Sequence, residues 1–164
     1  MTASASGPSV RMSNPTAAIL IIGDEILSGR TREANAYHLA VELTKVGIDL
    51  KEIRVVADDH DAIGAAVNAL RAGHTHVFTS GGIGPTHDDI TADAVAAAFG
   101  VRIGIREDAR AALLALYAGR EVKLNEAQWR MARVPDGARL IEVPSGAPGF
   151  SVENVHVMAG VPSI

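Results

Sequence analysis

Gly47, Gly73 and Gly100 each close an apolar run of helical spacing, and they stand 26 and 27 residues apart. Each interval has room for one strand and one helix. "TAAILIIG" (16–23) is a run rich in β-branched residues between Pro15 and Gly23, the pattern of a buried strand. From 33 to 46 the apolar residues Ala36, Leu39, Ala40, Leu43 and Val46 fall at helical spacing before Gly47. "IDLKEIRVVAD" (48–58) reads as a second strand. Asp58 or Asp59 then caps a helix carrying Ile63, Val67 and Leu70, which Gly73 closes. "HVFTS" (76–80) is a third strand, and the segment after Asp89 is helical to Phe99. Such alternation predicts an α/β fold: a three-layer α/β/α sandwich around a mostly parallel sheet. Ligand sites in open sheets of this kind lie at the carboxyl ends of the strands.

The last third is less regular. "VRIGI" (101–105) reads as another strand, "EDARAALLALYAG" (107–119) as an amphipathic helix and "NEAQWRMARV" (125–134) as a short one. "PDGARLIEV" starts as a turn and ends as a strand, "PSGAPGF" is expected as a loop, and "NVHVMAG" (154–160) as a final strand. Residues 1–15 read as a disordered tail and 16–164 as one domain, expected to be truncated because "VPSI" follows a strand without a further element.

Composition narrows the function. A net charge of −4 and a pI near 5.8 disfavour nucleic acid or an anionic membrane as the main partner, since both attract basic surfaces. The chain has no cysteine, which excludes disulfides, thiolate catalysis and cysteine-ligated metals. No apolar run approaches the ~20 residues of a membrane span, and the first residues lack the apolar stretch of a signal peptide. A cytoplasmic location is expected.

The chemistry concentrates in "TSGGIGPTHDDIT" (79–91), between the third strand and its helix. Glycine amides approach a ligand closely, and a helix N-terminus offers unpaired N–H groups and a positive dipole end, so phosphate is the expected guest. This is no P-loop, since Gly-Lys-Ser/Thr is missing, and "GGIGPTH" breaks the dinucleotide spacing. Two carboxylates, Asp88 and Asp89, follow. One aspartate at the N-cap and a second in the first turn would account for both structurally. Yet a spare carboxylate beside a phosphate pocket repels its guest. A divalent metal bridging carboxylate and phosphate resolves this; so does a heterocycle such as pterin or guanine, which presents N–H beside NH₂. The first strand ends alike, with Asp24 and Glu25 in "IIGDEILSG" (21–29). If strands one and three are neighbours, four carboxylates share a crevice, a costly crowding unless a cation or donor-rich ligand offsets it.

"GDEILSGRTREANAYHLAVELTKVGI" and "TSGGIGPTHDDITADAVAAAFG" resemble the molybdopterin-binding (MoaB/Mog-like) domain, above all the N-terminal domain of CinA, the competence/damage-inducible protein A. "NEAQWRMARVPDGARLI", "APGF" and "HVMAGVPS" continue the resemblance, which runs from about Ala17 to the last residue. It implies a sandwich that binds a phosphorylated pterin or nucleotide. The loop glycines Gly81, Gly82 and Gly84 would hold phosphate, and Asp88 and Asp24 would handle the pterin, a nucleotide or Mg²⁺. The CinA-like branch implies instead a metal-dependent (Mg²⁺ or Co²⁺) pyrophosphatase acting on ADP-ribose or FAD-like dinucleotides, with Asp88 and Asp24 catalytic. Asp24, Glu25, Asp88 and Asp89 are the candidate metal ligands. A third reading is a non-catalytic assembly or regulatory module. The resemblance also implies a homo-oligomer, a trimer or dimer.

Two departures stand out. Ile83 occupies a loop position where the cofactor-biosynthesis proteins usually carry threonine, and Ala159 replaces a usual proline. Among lesser candidates, Ser80, Thr86 and Thr91 offer hydroxyls to phosphate, and His87 an acid or donor. Asn35 is placed to orient a ligand and Trp129 to stack on a ring or simply to pack. His38, His60, His74, His76 and His156 show no metal-ligand spacing.

Overall fold

The computed structural model describes residues 13–118, 123–141, 143 and 148–160. Strand β1 (Thr16–Ile22) is the central piece, with six of its seven residues buried. It pairs in parallel with β2 (Asp49–Val56) on one side and β3 (His76–Ser80) on the other. Helix α1 (Asp24–Leu27) is a single turn after β1, α2 (Asn35–Lys45) leads to β2, and α3 (His60–Gly73) leads to β3. Helix α4 (Thr91–Phe99) follows the glycine loop. The chain then runs through β4 (Ile103–Ile105), α5 (Glu107–Leu116), α6 (Glu126–Trp129), a 3-10 turn (Arg130–Ala132) and β5 (Arg133–Pro135). Strands β6 (Arg139–Ile141), β7 (Gly149–Val152) and β8 (Val155–Met158) complete it.

The main sheet has six strands in the order β2-β1-β3-β8-β7-β6. Its β2-β1-β3-β8 part is parallel, and β7 runs antiparallel to β8 and β6 to β7. The mostly parallel three-layer sandwich is therefore observed. Side chains alternate across β1, as a strand's period of two requires. Ala18, Leu20 and Ile22 join Ile63, Val67 and Leu70 of α3 and Val95 of α4 on one face. Ala17, Ile19 and Ile21 meet Ala36 and Leu43 of α2 on the other. Gly100 ends α4 in the left-handed conformation, and Gly47 follows α2 at φ 75°. Gly73 is instead the last residue of α3, with His74 as the C-cap.

Two expectations are corrected. The strand expected at 101–105 shortens to β4 and leaves the main sheet, pairing antiparallel with β5 in a two-stranded sheet of its own. Gly104 weakens it as a sheet-core strand. The loop expected through 144–150 ends early, because Gly149 and Phe150 open β7, where Phe150 fills the core. Residues 144–147 and 161–164, which carry parts of two motifs, lie outside the described residues, as do 1–12 of the expected tail. Asn14 and Pro15 are tied to β2: the Asn14 side chain donates to Asp49 at 3.0 Å, and the Asp49 amide to the Pro15 carbonyl at 2.8 Å. Among the described residues no helix is long and apolar enough to cross a membrane.

Candidate functional site

Because β1, β2 and β3 are adjacent and parallel, the turns after all three open at one edge of the sheet. A depression there is lined by Asp24 and Glu25 after β1, Asp58 after β2, and Gly82, Thr86, Asp88 and Asp89 after β3, with Ile22 and Arg30 beside them. The four carboxylates expected in one crevice are thus together, and a fifth, Asp58, joins them. By sequence Asp58 stands only as a helix-cap candidate. Asp59 takes that task, accepting from the Ala62 amide at 2.8 Å. The signal for Asp58 was its place at a strand's carboxyl end.

Asp24 and Asp58 lock the two turns to each other. The Asp24 amide donates to the Asp58 carboxylate at 2.9 Å, and the Asp58 amide to the Asp24 carboxylate at 3.3 Å. Burial pushes the Asp58 carboxyl above the usual carboxylate range. The bond from the Asp24 amide pulls it back, and the charges of Glu25, Asp24 and Asp89 push it up further. The part owed to the neighbouring carboxylates is the crowding expected of like charges.

The glycine loop is shaped by its own packing. Gly81 has φ 108° and Gly82 φ 70°, values that side-chain-bearing residues adopt at a cost. A Cβ on Gly81 would fall on the Ile22 carbonyl oxygen, and one on Gly82 on the Thr91 hydroxyl. Both glycines are therefore needed for the loop to close on β1 and α4, whatever ligand their amides meet. Thr91 is fully buried, and its hydroxyl donates to the Gly81 carbonyl at 3.0 Å, so it is a brace of the loop. The Gly81 amide donates to the Met158 carbonyl at 3.3 Å. Among the described residues the amides of Gly82, Ile83 and Gly84 take no hydrogen bond.

The cap expected from Asp88 or Asp89 is also corrected. The N-cap of α4 is Ile90, with no side-chain cap bond. Asp89 turns back instead, accepting from the Thr86 amide at 2.8 Å and the Thr86 hydroxyl at 2.6 Å. It also sits where a Cβ on Gly84 would be, 2.7 Å from its Oδ2. Asp88 is exposed and pairs with the still more exposed His87 at 2.8 Å. Ile83 points inward and joins the main core, 8% exposed.

Asn35, at the start of α2, donates to the Ser80 hydroxyl at 2.7 Å and the Gly160 carbonyl at 2.8 Å. It ties the ends of β3 and β8 beneath a second hollow lined by Glu25, Arg32, Ser80 and Gly81. Trp129 lies apart from the depression, partly buried against the core with the Arg110 guanidinium over its ring at 4.7 Å. Among the described residues no three His, Asp or Glu side chains are grouped to hold a metal ion by themselves. Of the histidines, His76 and His156 approach each other to 3.2 Å.

The fold has counterparts among known proteins. The profile of a family described as "Probable molybdopterin binding domain" matches residues 18–164. The chain belongs to this probable molybdopterin-binding domain family. A curated Saccharolobus islandicus protein is 39% identical over 152 residues, which is 89% of this chain and 58% of the relative. One from Archaeoglobus fulgidus is 37% identical over 146 residues, 88% of this chain and 62% of the relative. The molybdopterin-binding-like chain thus spans less than two thirds of these relatives. Among solved structures, CinA of Thermoplasma acidophilum, described as of unknown function, superposes with a TM-score of 0.83 at 36% identity, covering 93% of this chain and 92% of that one. The tungsten cofactor synthesizing protein MoaB of Pyrococcus furiosus shares the molybdopterin-binding-like fold at a TM-score of 0.59 and 17% identity, over 93% and 86% of the two chains.

Proposed function

We propose that this domain binds a phosphorylated pterin or nucleotide at the strand ends, with its phosphate near the glycine loop and its donor-rich or cation-bearing part in the acidic depression. The observation that carries the reading is the convergence of Asp24, Glu25, Asp58, Asp88 and Asp89 beside that loop, with only Arg30 as cation among the lining residues. Five carboxylates and one arginine leave an excess of negative charge that a ligand or cation must offset. Family membership supports a molybdopterin-like ligand. Ser80, Gly81, Gly82, Gly84, Thr86, His87 and Thr91 form or brace the phosphate side of the site in this reading.

The second reading is a metal-dependent pyrophosphatase acting on ADP-ribose or FAD-like dinucleotides, favoured by the same acidic depression and by the close superposition on CinA. The donor set suits Mg²⁺ or Co²⁺ in one respect: Mg²⁺ at phosphate sites takes one or two protein carboxylates and completes its shell with phosphate oxygens and water. Asp24, Glu25, Asp88 and Asp89 would supply the carboxylates, with Asp24 and Asp88 nearest the chemistry. Such an ion would offset charge on the phosphates. The Asp58 amide would fix the Asp24 carboxylate, and His87 would hold or release a proton at the rim. Assembly into a symmetric dimer or trimer belongs to the same proposal, supported by the large apolar side chains of Tyr37, Val46 and Ile53 on the surface.

A thermal-shift screen tests both readings. ADP-ribose, FAD, ATP and a pterin are each added with and without Mg²⁺ or Co²⁺. A true ligand at a hundred times its Kd stabilises by about 2.7 kcal/mol and raises Tm. A pterin alone supports the first reading, and a dinucleotide with metal the second. If no compound moves Tm under any condition, both fail.

A further inference from the structure

A narrow cleft, admitting only a water-sized group, opens beside the acidic depression. It is lined by Ile83 and Gly84 of the loop, Asp89, Asp93, Arg130, Arg133 and residues of β7 and its approach. Asp89 lines both spaces. Most charges in the cleft are already matched. Arg133 holds Asp93 through both terminal nitrogens, at 2.9 and 2.6 Å. Asp89 is engaged by Thr86. Arg130 differs: its Nε is buried without a hydrogen-bond partner, and among the described residues it forms no ion pair. A buried guanidinium donor left unsatisfied is costly and uncommon in a native protein. The unused amides of Ile83 and Gly84 belong to residues of the same cleft.

An orphaned cationic donor beside a gap the size of one oxygen atom suits a guest that brings an oxygen acceptor. We propose that Arg130 is the oxyanion anchor of this site, holding one phosphoryl oxygen of the ligand in the cleft behind the glycine loop. The inference rests on the reading that the ligand is phosphorylated, and it deepens that reading. It separates the two demands that seemed to conflict in "GGIGPTHDD". The phosphate charge goes to Arg130 and the loop amides, and the part bearing cation or paired donors goes to the carboxylates. Arginine suits the task, since its charge persists at any working pH and its fork matches phosphate oxygens.

The test uses the whole chain without divalent metal and inorganic phosphate as probe, read by ¹H–¹⁵N NMR at the arginine Nε–H signals. The signal lost in Arg130→Gln identifies Arg130. In the parent that signal is expected to shift and saturate as phosphate is added. Arg130→Gln is expected to weaken phosphate binding about tenfold or more, the effect of losing a charge-assisted bond, and Arg130→Lys less. Arg102→Gln, at an exposed side chain paired with Asp136, is expected to change nothing. An Arg130 signal that stays still at tens of millimolar phosphate overturns the proposal without any variant. So does an Arg130→Gln protein that folds and binds phosphate like the parent. Phosphate carries neither ring nor metal, so the two readings fail separately. If it shifts Arg130 while no pterin or nucleotide binds, the anchor stands and the proposed function falls. If a nucleotide stabilises the protein while Arg130 is silent, the anchor alone falls.

Discussion

The turn after β2 and the loop after β3 carry the same dipeptide at the same place, two aspartates between a strand end and a helix start. They use it differently. At 58–59 the labour is divided: Asp59 caps α3, and Asp58 faces the depression. At 88–89 neither residue caps α4. Asp89 is drawn back onto Thr86, and Asp88 stands in solvent with His87. The difference comes from what precedes them. The first turn is short and leaves Asp59 at the N-cap. The second is a ten-residue loop whose two positive-φ glycines fold it onto β1 and α4, so that Ile90 falls at the N-cap. A pair of acids therefore does not announce its role; the loop geometry assigns it.

The largest expected effect breaks that geometry. Gly82→Val would place a β-branched side chain at φ 70° and against the Thr91 hydroxyl. Overpacking and backbone strain together are expected to cost about 3–5 kcal/mol, read from urea unfolding. A loss below about 1 kcal/mol would mean that the loop relaxes freely and does not set the roles of Asp88 and Asp89.

A middle-sized effect sharpens the contrast between the pairs. Asp59→Ala removes a cap and is expected to cost about 1 kcal/mol. Asp89→Ala removes two bonds that hold the loop and is expected to cost about 1–2 kcal/mol. Asp88→Ala, which loses only an exposed contact with His87, should stay within about 0.5 kcal/mol of the parent. Equal losses for Asp88→Ala and Asp89→Ala would erase the distinction drawn between inward and outward carboxylates.

The smallest effect depends on pH. The Asp58 carboxyl is raised above its unfolded value, so the folded state binds its proton more tightly than the unfolded state does. Stability is then lost as pH rises through the window above the ordinary aspartate value of 3.8, and regained on acidification. Asp58→Asn keeps an acceptor for the Asp24 amide and removes the charge. Its Tm is expected to exceed the parent's at pH 7, and the gap to close below the unfolded pKa. A constant gap across the titration would show that Asp58 is not held up by its neighbours.

Much of the site was legible in the chain because strand ends are legible. A β-branched run bounded by Pro15 and Gly23 fixes where β1 stops, and parallel alternation fixes that Asp24 and Asp88 emerge at one edge. Asp58 was open to the same argument. Arg130 was not. It lies on a 3-10 turn far along the chain, reaches the loop only because β5 and β7 return there, and its sequence surroundings match those of a surface helix.

The sequence alone determined the alternating strands and helices, the parallel core around β1 and the gathering of acids at one sheet edge, because periodicity and punctuation act locally along the backbone. Tertiary structure decided which member of each aspartate pair turns inward, that β4 leaves the main sheet, and that the Arg130 Nε is buried in the cleft it shares with Asp89, without a partner among the described residues. Those outcomes depend on which backbone atoms block a Cβ and which donors find acceptors, and residues far apart in the chain settle both.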